Sequence, residues 1–315
     1  MEKNNVTTLT LIHLLGFQIA HNLTFFIFIL LLIIYCVTIC GNLLIITLVS
    51  HSKTLHSPMY FFLSQLSISD ILLATDILPN TLRVVLMKET IISFTECITQ
   101  YFFFALPETL QCLLLTVMCY DRYLAICKPL HYNLTMNFEF CCKMVIACWV
   151  LCVAVVLTHT LPISQLKFCG PNVMDHFFCD LDPILKLSCS DTTIVQLEVT
   201  LLSFLLVVIP FFIIIVSYVY ILITIFKIQS VTSRQKVFST CSSHLTVVCI
   251  YYGTLVFVYL IPRSGQSWNI MKFLSLLYTV ATPLMNPIIY SLRNRDLKRA
   301  LDKIINHCLH LLFSK

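Results

Sequence analysis

Seven stretches of this chain are each long and apolar enough to cross a bilayer unaided. They cover residues 23–49, 58–80, 94–126, 140–161, 194–228, 237–261 and 270–291. A bilayer core needs about 20 such residues per helix. No water is available there for backbone N–H and C=O groups, so a spanning chain must be a helix or part of a closed barrel. Runs this long, with 5 glycines in 315 residues, fit helices and not the short alternating strands of a barrel. The expected fold is an all-α membrane protein, a seven-transmembrane helix bundle. Charged residues make up 11% of the chain, under half the roughly 25% of a soluble domain. The 20 Lys and Arg exceed the 15 Asp and Glu by too little, and too sparsely, for a nucleic-acid surface.

An odd number of spans puts the two termini on opposite sides. One set of flanking segments carries Lys53, Arg122, Lys128, Lys143, Lys227, Arg234, Lys236, Arg293, Arg295, Lys298, Arg299, Lys303 and Lys315. The other carries Lys3, Arg83, Lys88, Lys167, Lys186, Arg263 and Lys272. The richer set belongs inside. The chain then divides into an extracellular tail (1–22), the bundle (23–292) and a cytoplasmic segment (293–315). The first span has no cleavable leader ahead of it and reads as a signal anchor. Leu297, Leu301, Ile304 and Ile305 share one face among basic residues, which predicts a short amphipathic helix on the inner leaflet. Most of the 16 cysteines sit inside apolar runs, where Cys acts as a small hydrophobe. Cys97, Cys169, Cys179 and Cys189 face the oxidising side and allow three pairings. Asn5-Val6-Thr7 is a glycosylation sequon on the outer tail.

Several strings match one family in order. Gly41-Asn42 ends span one, and LHSPMYFFLS (55–64) opens span two. MCYDRYLAICKPLHY (118–132) ends span three, and Ser217-Tyr218 lies in span five. KVFSTCSSHL (236–245) opens span six, and PLMNPIIYSLRN (283–294) ends span seven. Together they resemble a vertebrate olfactory (odorant) receptor, a rhodopsin-like G-protein-coupled receptor, over nearly the whole chain. The departures are Cys119 where the family writes Ala, Met285 where it writes Leu, and Gln111 where it commonly has Glu.

The resemblance implies a receptor and no enzyme. Its partners would be a small-molecule odorant, the lipid bilayer and a heterotrimeric G protein of the stimulatory or olfactory type, acting through cAMP at the plasma membrane. Asp121, Arg122 and Tyr123 would form the G-protein switch with Tyr218, Asn286, Pro287 and Tyr290. Lys227, Arg234 and Lys236 would border the crevice that opens there, though inner-leaflet anchoring accounts for part of them. Asn42, Asp70, Gln111 and Asn286 would line an internal polar pocket, and a sodium ion near Asp70 is the one cofactor the resemblance allows. It implies bridges Cys97–Cys179 and Cys169–Cys189.

The ligand site is expected in the outer halves of spans three, five, six and seven. Phe104, Glu108, Thr109 and Cys112 share one helical face, and Tyr252, Leu255 and Tyr259 another. Leu202, Leu206 and Thr279 are weaker candidates, for which helix packing is an equal reading. Glu108 is the ionisable residue in the interior of span three. A carboxyl at that depth costs roughly 2.5–3.5 kcal/mol on insertion scales. Either it meets a ligand, or it bonds internally to Gln111 or Thr109. Rival readings fare worse. The short loop at 262–267 gives a peptide little to hold. An opsin needs a mid-helix lysine, and Lys272 lies near the outer end of span seven. The ten His show no paired metal-ligand spacing for an oxidase, and no inverted repeat points to a transporter.

Overall fold

The computed structural model describes residues 10–17, 21–168, 172–260, 268–294, 296–303 and 306, excluding the side chains at 21, 233, 236, 239, 240, 256–260, 268–271 and 293. The long helices are α1 (His21–His51), α2 (Pro58–Met87), α3 (Phe94–Cys127) and α5 (Phe138–Gln165). They are followed by a continuous rod made of α7 (Thr193–Ser203), one π turn (Phe204–Val208) and α8 (Ile209–Lys227). The last two are α9 (Val231–Leu260) and α10 (Trp268–Arg293). Short helices α4 (Pro129–Thr135) and α6 (Leu181–Lys186) lie in the connections. Among the described residues, six helices are long and apolar enough to cross a membrane, with α7 and α8 counted as one. α9 completes the seven. It opens on the polar run Thr232-Ser233-Arg234-Gln235-Lys236, six residues before the expected span, because a helix projecting beyond lipid needs no apolar flank.

α3 is the axis of the bundle and packs against α2, α5, α8 and α9. Its start is fixed locally. Ser93 accepts a hydrogen bond from the Glu96 N–H at 3.1 Å, and Glu96 accepts one from the Ser93 N–H at 2.7 Å. This reciprocal cap ends the preceding strand and sets the register of α3. α2 runs past Pro79 to Met87 and stops where Lys88 takes a left-handed φ of 64°. Large apolar side chains cover the outside of the bundle, Phe25, Phe212 and Ile146 among them. Such a surface is stable only against lipid.

One end of the bundle carries a small sheet that the sequence did not announce. Strand β1 (Leu11–Leu15) pairs antiparallel with β2 (Glu89–Ser93) and parallel with β3 (Val173–Met174). Ile12 and Leu14 are fully buried over Leu73, Ile77 and Val84 of α2. Gly16 follows at a close approach, since a Cβ there would sit 2.2 Å from Val84 Cγ1. Lys272, 1% exposed, reaches across from α10. Its ammonium donates to the Gly16 carbonyl at 2.8 Å and the Leu15 carbonyl at 3.2 Å, and pairs with the Asp175 carboxylate. Replacing Lys272 with Met strands two carbonyls and is expected to weaken the cap by about 1–3 kcal/mol. The thermal midpoint of the purified protein should drop by several degrees; an unchanged midpoint would mean that the contact is idle.

Candidate functional site

At the end opposite the sheet, Arg122 is clasped by its neighbour. Its Nε donates to Asp121 Oδ2 at 2.8 Å, and Nη2 contacts the same oxygen. The Tyr132 hydroxyl on α4 donates to Asp121 Oδ1 at 2.8 Å. Burial, then the Asp121 carboxylate, raises the Tyr132 pKa well above a free tyrosine's, so its proton stays in place to be donated. Tyr218 is turned elsewhere. Its hydroxyl lies 2.6 Å from His244 Nδ1 on α9. Tyr290 is fully buried, and its hydroxyl has no partner among the described residues. Tyr123 stacks edge-on with Tyr220 of α8, centroids 6.3 Å apart. Arg122 thus holds one carboxylate while two buried tyrosines lie unengaged with it.

The middle of the bundle is polar. Asp70 accepts hydrogen bonds from the amides of Gln111 (3.1 Å) and Asn286 (2.9 and 3.1 Å). Asn42 donates instead to the carbonyls of Thr38 (3.0 Å) and Pro283 (3.1 Å), which ties α1 to α10. The same helices approach closely at Gly41, where a Cβ would meet Pro287 at 3.0 Å. Both amides facing Asp70 present N–H groups, whereas a cation needs oxygens. Gln111 Oε1 and Asn42 Oδ1 are buried without a partner, but they are not joined to the carboxylate. As arranged, these residues do not fit a sodium ion.

Nearer the sheet, α3 and α9 build a second cluster. The Tyr251 hydroxyl donates to the Glu108 backbone carbonyl at 3.0 Å, and the Cys112 thiol lies 2.9 Å from that hydroxyl. Since the tyrosine spends its proton on the carbonyl, the thiol is the donor of this pair. Tyr252 packs on Phe211 with centroids 4.8 Å apart, and its buried hydroxyl lies beside Cys112 and Thr116. Phe104 meets Phe178 edge-on and Tyr278 at a tilt. Thr109 bonds back to the Ala105 carbonyl and Thr279 to that of Ser275, so both hydroxyls serve their own helices. Leu202 and Leu206 are half-buried, Leu206 within the π turn, and Leu255 is half-buried. The Tyr259 side chain lies outside the described residues, as do Asn5 and Cys169.

The loop before α6 is fastened to α3 over this cluster. Cys97 and Cys179 form a disulfide, and Gln100 accepts from the Cys179 N–H at 3.0 Å. Cys189 is also disulfide-bonded. His176 is buried beside Phe177 and Phe178. Burial pushes its pKa down to about 3, with Lys272 and Lys186 acting the same way, so the ring is neutral at physiological pH.

Sequence reasoning chose Tyr252 and missed Tyr251. Adjacent helix positions point about 100° apart, so a single apolar face includes one of them. His244 and Tyr132 stand in the quoted strings, but their bonds needed the fold.

Known proteins resemble this chain in sequence and in fold. A profile of the olfactory receptor family matches residues 31–308. Human olfactory receptor 11L1 is 43% identical over 314 residues, covering 100% of this chain and 98% of its own. Mouse olfactory receptor 5P55 is 46% identical over 305 residues, covering 97% and 98%. The crystal structure of squid rhodopsin superposes with a TM-score of 0.74 at 17% identity, over 93% of this chain and 88% of that one. That likeness carries the fold, and the near full-length matches carry the family. This multi-pass membrane protein belongs to the olfactory receptor family, a family of receptors and not of enzymes.

Proposed function

We propose that the chain is a plasma-membrane odorant receptor that binds a small volatile organic molecule beneath the sheet and activates a heterotrimeric G protein of the stimulatory or olfactory type, raising cAMP. The observation that carries this reading is the division of α3 between two sites. Its Phe104–Cys112 region faces aromatic rings, and its Asp121–Arg122 end holds a clasp with alternatives close by. A small ligand suits a mostly apolar site with few polar anchors. A clasp with two sets of partners suits a two-state switch. In the active state Tyr218 leaves His244, Tyr218 and Tyr290 turn toward Arg122, and α9 swings away from α3.

The sheet end lies outside and the C-terminus inside. Disulfides form in oxidising compartments, and both described disulfide positions next to the sheet support this orientation. The thirteen basic residues flanking the other end agree. There α4 presents Leu130, 89% exposed, beside a shallow pocket lined by Tyr120, Leu124 and Cys127. An apolar side chain so bare at the inner surface fits a contact with the G-protein α subunit. Asn5 carries a glycan on the outer tail. The Asp70 pocket works without sodium, as a hydrogen-bonded clasp between α2, α3 and α10.

The test is a cAMP reporter in cells expressing the full chain, screened against volatile compounds. Some compound should raise cAMP only in cells that hold both the receptor and a stimulatory α subunit. A response that persists without that subunit would overturn the coupling.

A further inference from the structure

The pocket beside Leu130 has a graded lining. It measures about 530 Å³ and lies where α3 gives way to α4. Tyr120, Leu124 and Cys127 form its wall on α3, spaced four and three residues apart and so on one helical face. Lys128 follows at the end of α3, and His131 stands in the first turn of α4. From the depth of the bundle to its edge, the lining passes from apolar to basic.

The basic end has nothing to balance it. Among the described residues, neither the Lys128 ammonium nor the His131 ring has a hydrogen-bond or ion-pair partner. No carboxylate lines the pocket. The two acids nearby in sequence are committed elsewhere, Asp121 to Arg122 and Tyr132, and Glu139 to Lys143 at 2.6 Å. The surroundings are apolar where a water-facing surface would be polar. Tyr120 is exposed, Leu134 is 77% exposed and Phe138 73%. Bare apolar side chains next to an unpaired ammonium fit the level at which acyl chains meet headgroups.

We propose that this pocket binds an anionic phospholipid of the inner leaflet, its phosphate held by Lys128 and His131 and one acyl chain lying over Leu124 and Tyr120. The choice of leaflet rests on the orientation proposed above, and the chemistry rests on the lining. An ammonium beside an imidazole donor takes a phosphate. A zwitterionic headgroup brings its own cation to the same place and gains less. Because α4 also carries Tyr132, a lipid seated here braces the hydroxyl that holds Asp121.

The probes are phosphatidylglycerol and phosphatidylcholine with identical chains. They are titrated onto the purified full chain in detergent and counted by native mass spectrometry, with the thermal midpoint as a second reading. The anionic lipid should bind more tightly and raise the midpoint. Lys128→Gln should weaken that binding by about fivefold, and Lys128→Arg should keep it. Lys53→Gln removes the same charge from the connection between α1 and α2 and should leave the binding unchanged. Equal affinity for the two lipids, or equal losses in Lys128→Gln and Lys53→Gln, would reduce the effect to general attraction by a basic surface and overturn the site. Competition by glycerol phosphate at the lipid's own concentration would overturn the lipid as occupant, since the apolar wall would then contribute nothing. The orientation is read separately. A C-terminal tag stained on unpermeabilised cells would overturn the inner-leaflet source, whatever the lipid affinities.

Discussion

Replacing Arg122 with alanine is expected to silence signalling while ligand binding persists. The guanidinium is the centre of the inner clasp, bonded to Asp121, and Asp121 is bonded in turn to Tyr132. Alanine removes the group to which Tyr218 and Tyr290 are proposed to turn. It also leaves Asp121 fully buried without its counter-charge. Breaking a buried pair on one side costs about 3–5 kcal/mol, so some loss of surface level is expected as well. For that reason the comparison is made at equal surface density. Agonist-driven cAMP should fall to background, while an agonist still shifts the thermal midpoint of the purified variant. Arg122 lies between three and four helical turns from Glu108 along α3, too far to touch the ligand. Full signalling at matched density would remove Arg122 from the switch.

Replacing Cys97 or Cys179 with serine is expected to abolish delivery to the surface. The bond closes a loop over 82 residues of sequence and holds the lid of the second cluster to α3. A disulfide of this kind contributes about 2–5 kcal/mol. Both sulfurs are fully buried among Tyr101, Phe177 and Phe178, so each single variant also leaves an unpaired thiol inside the cap. Removing Cys189 should be milder, because the α3 tether survives. Antibody staining of unpermeabilised cells measures this directly. Wild-type levels in both Cys97→Ser and Cys179→Ser would show the tether to be dispensable.

The sequence made the bundle legible because burial in lipid leaves a signal that no other environment needs: twenty or more apolar residues in a row. It blurred where that demand lapses. α2 extends seven residues beyond position 80 and α9 begins six before 237, both outside lipid, where hydropathy carries no boundary. The sheet was illegible for a related reason. Leu11-Ile12-His13-Leu14-Leu15 lacks a clean alternation, and its partners lie far along the chain. The site was half legible. Spacing put Phe104, Glu108 and Cys112 on one face of α3. Only the fold showed that Gln111 and Thr109 bond away from Glu108, to Asp70 and Ala105, because Glu108 had two candidate partners and sequence cannot choose a rotamer.

The seam between β1 and its two neighbours has a consequence for how the receptor is made. Leu11 pairs with Ser93 and His13 with Val173, so β1 leaves the ribosome well before either of its partners. At synthesis rates of about 5–20 residues per second, β1 waits roughly 10–30 s for its second partner. Until then at least one edge of this apolar strand is unpaired, a ready target for chaperones and for mispairing. Lys272, translated later still, closes the seam. Retention of this receptor before export should therefore track the closing of that seam more closely than the insertion of any helix.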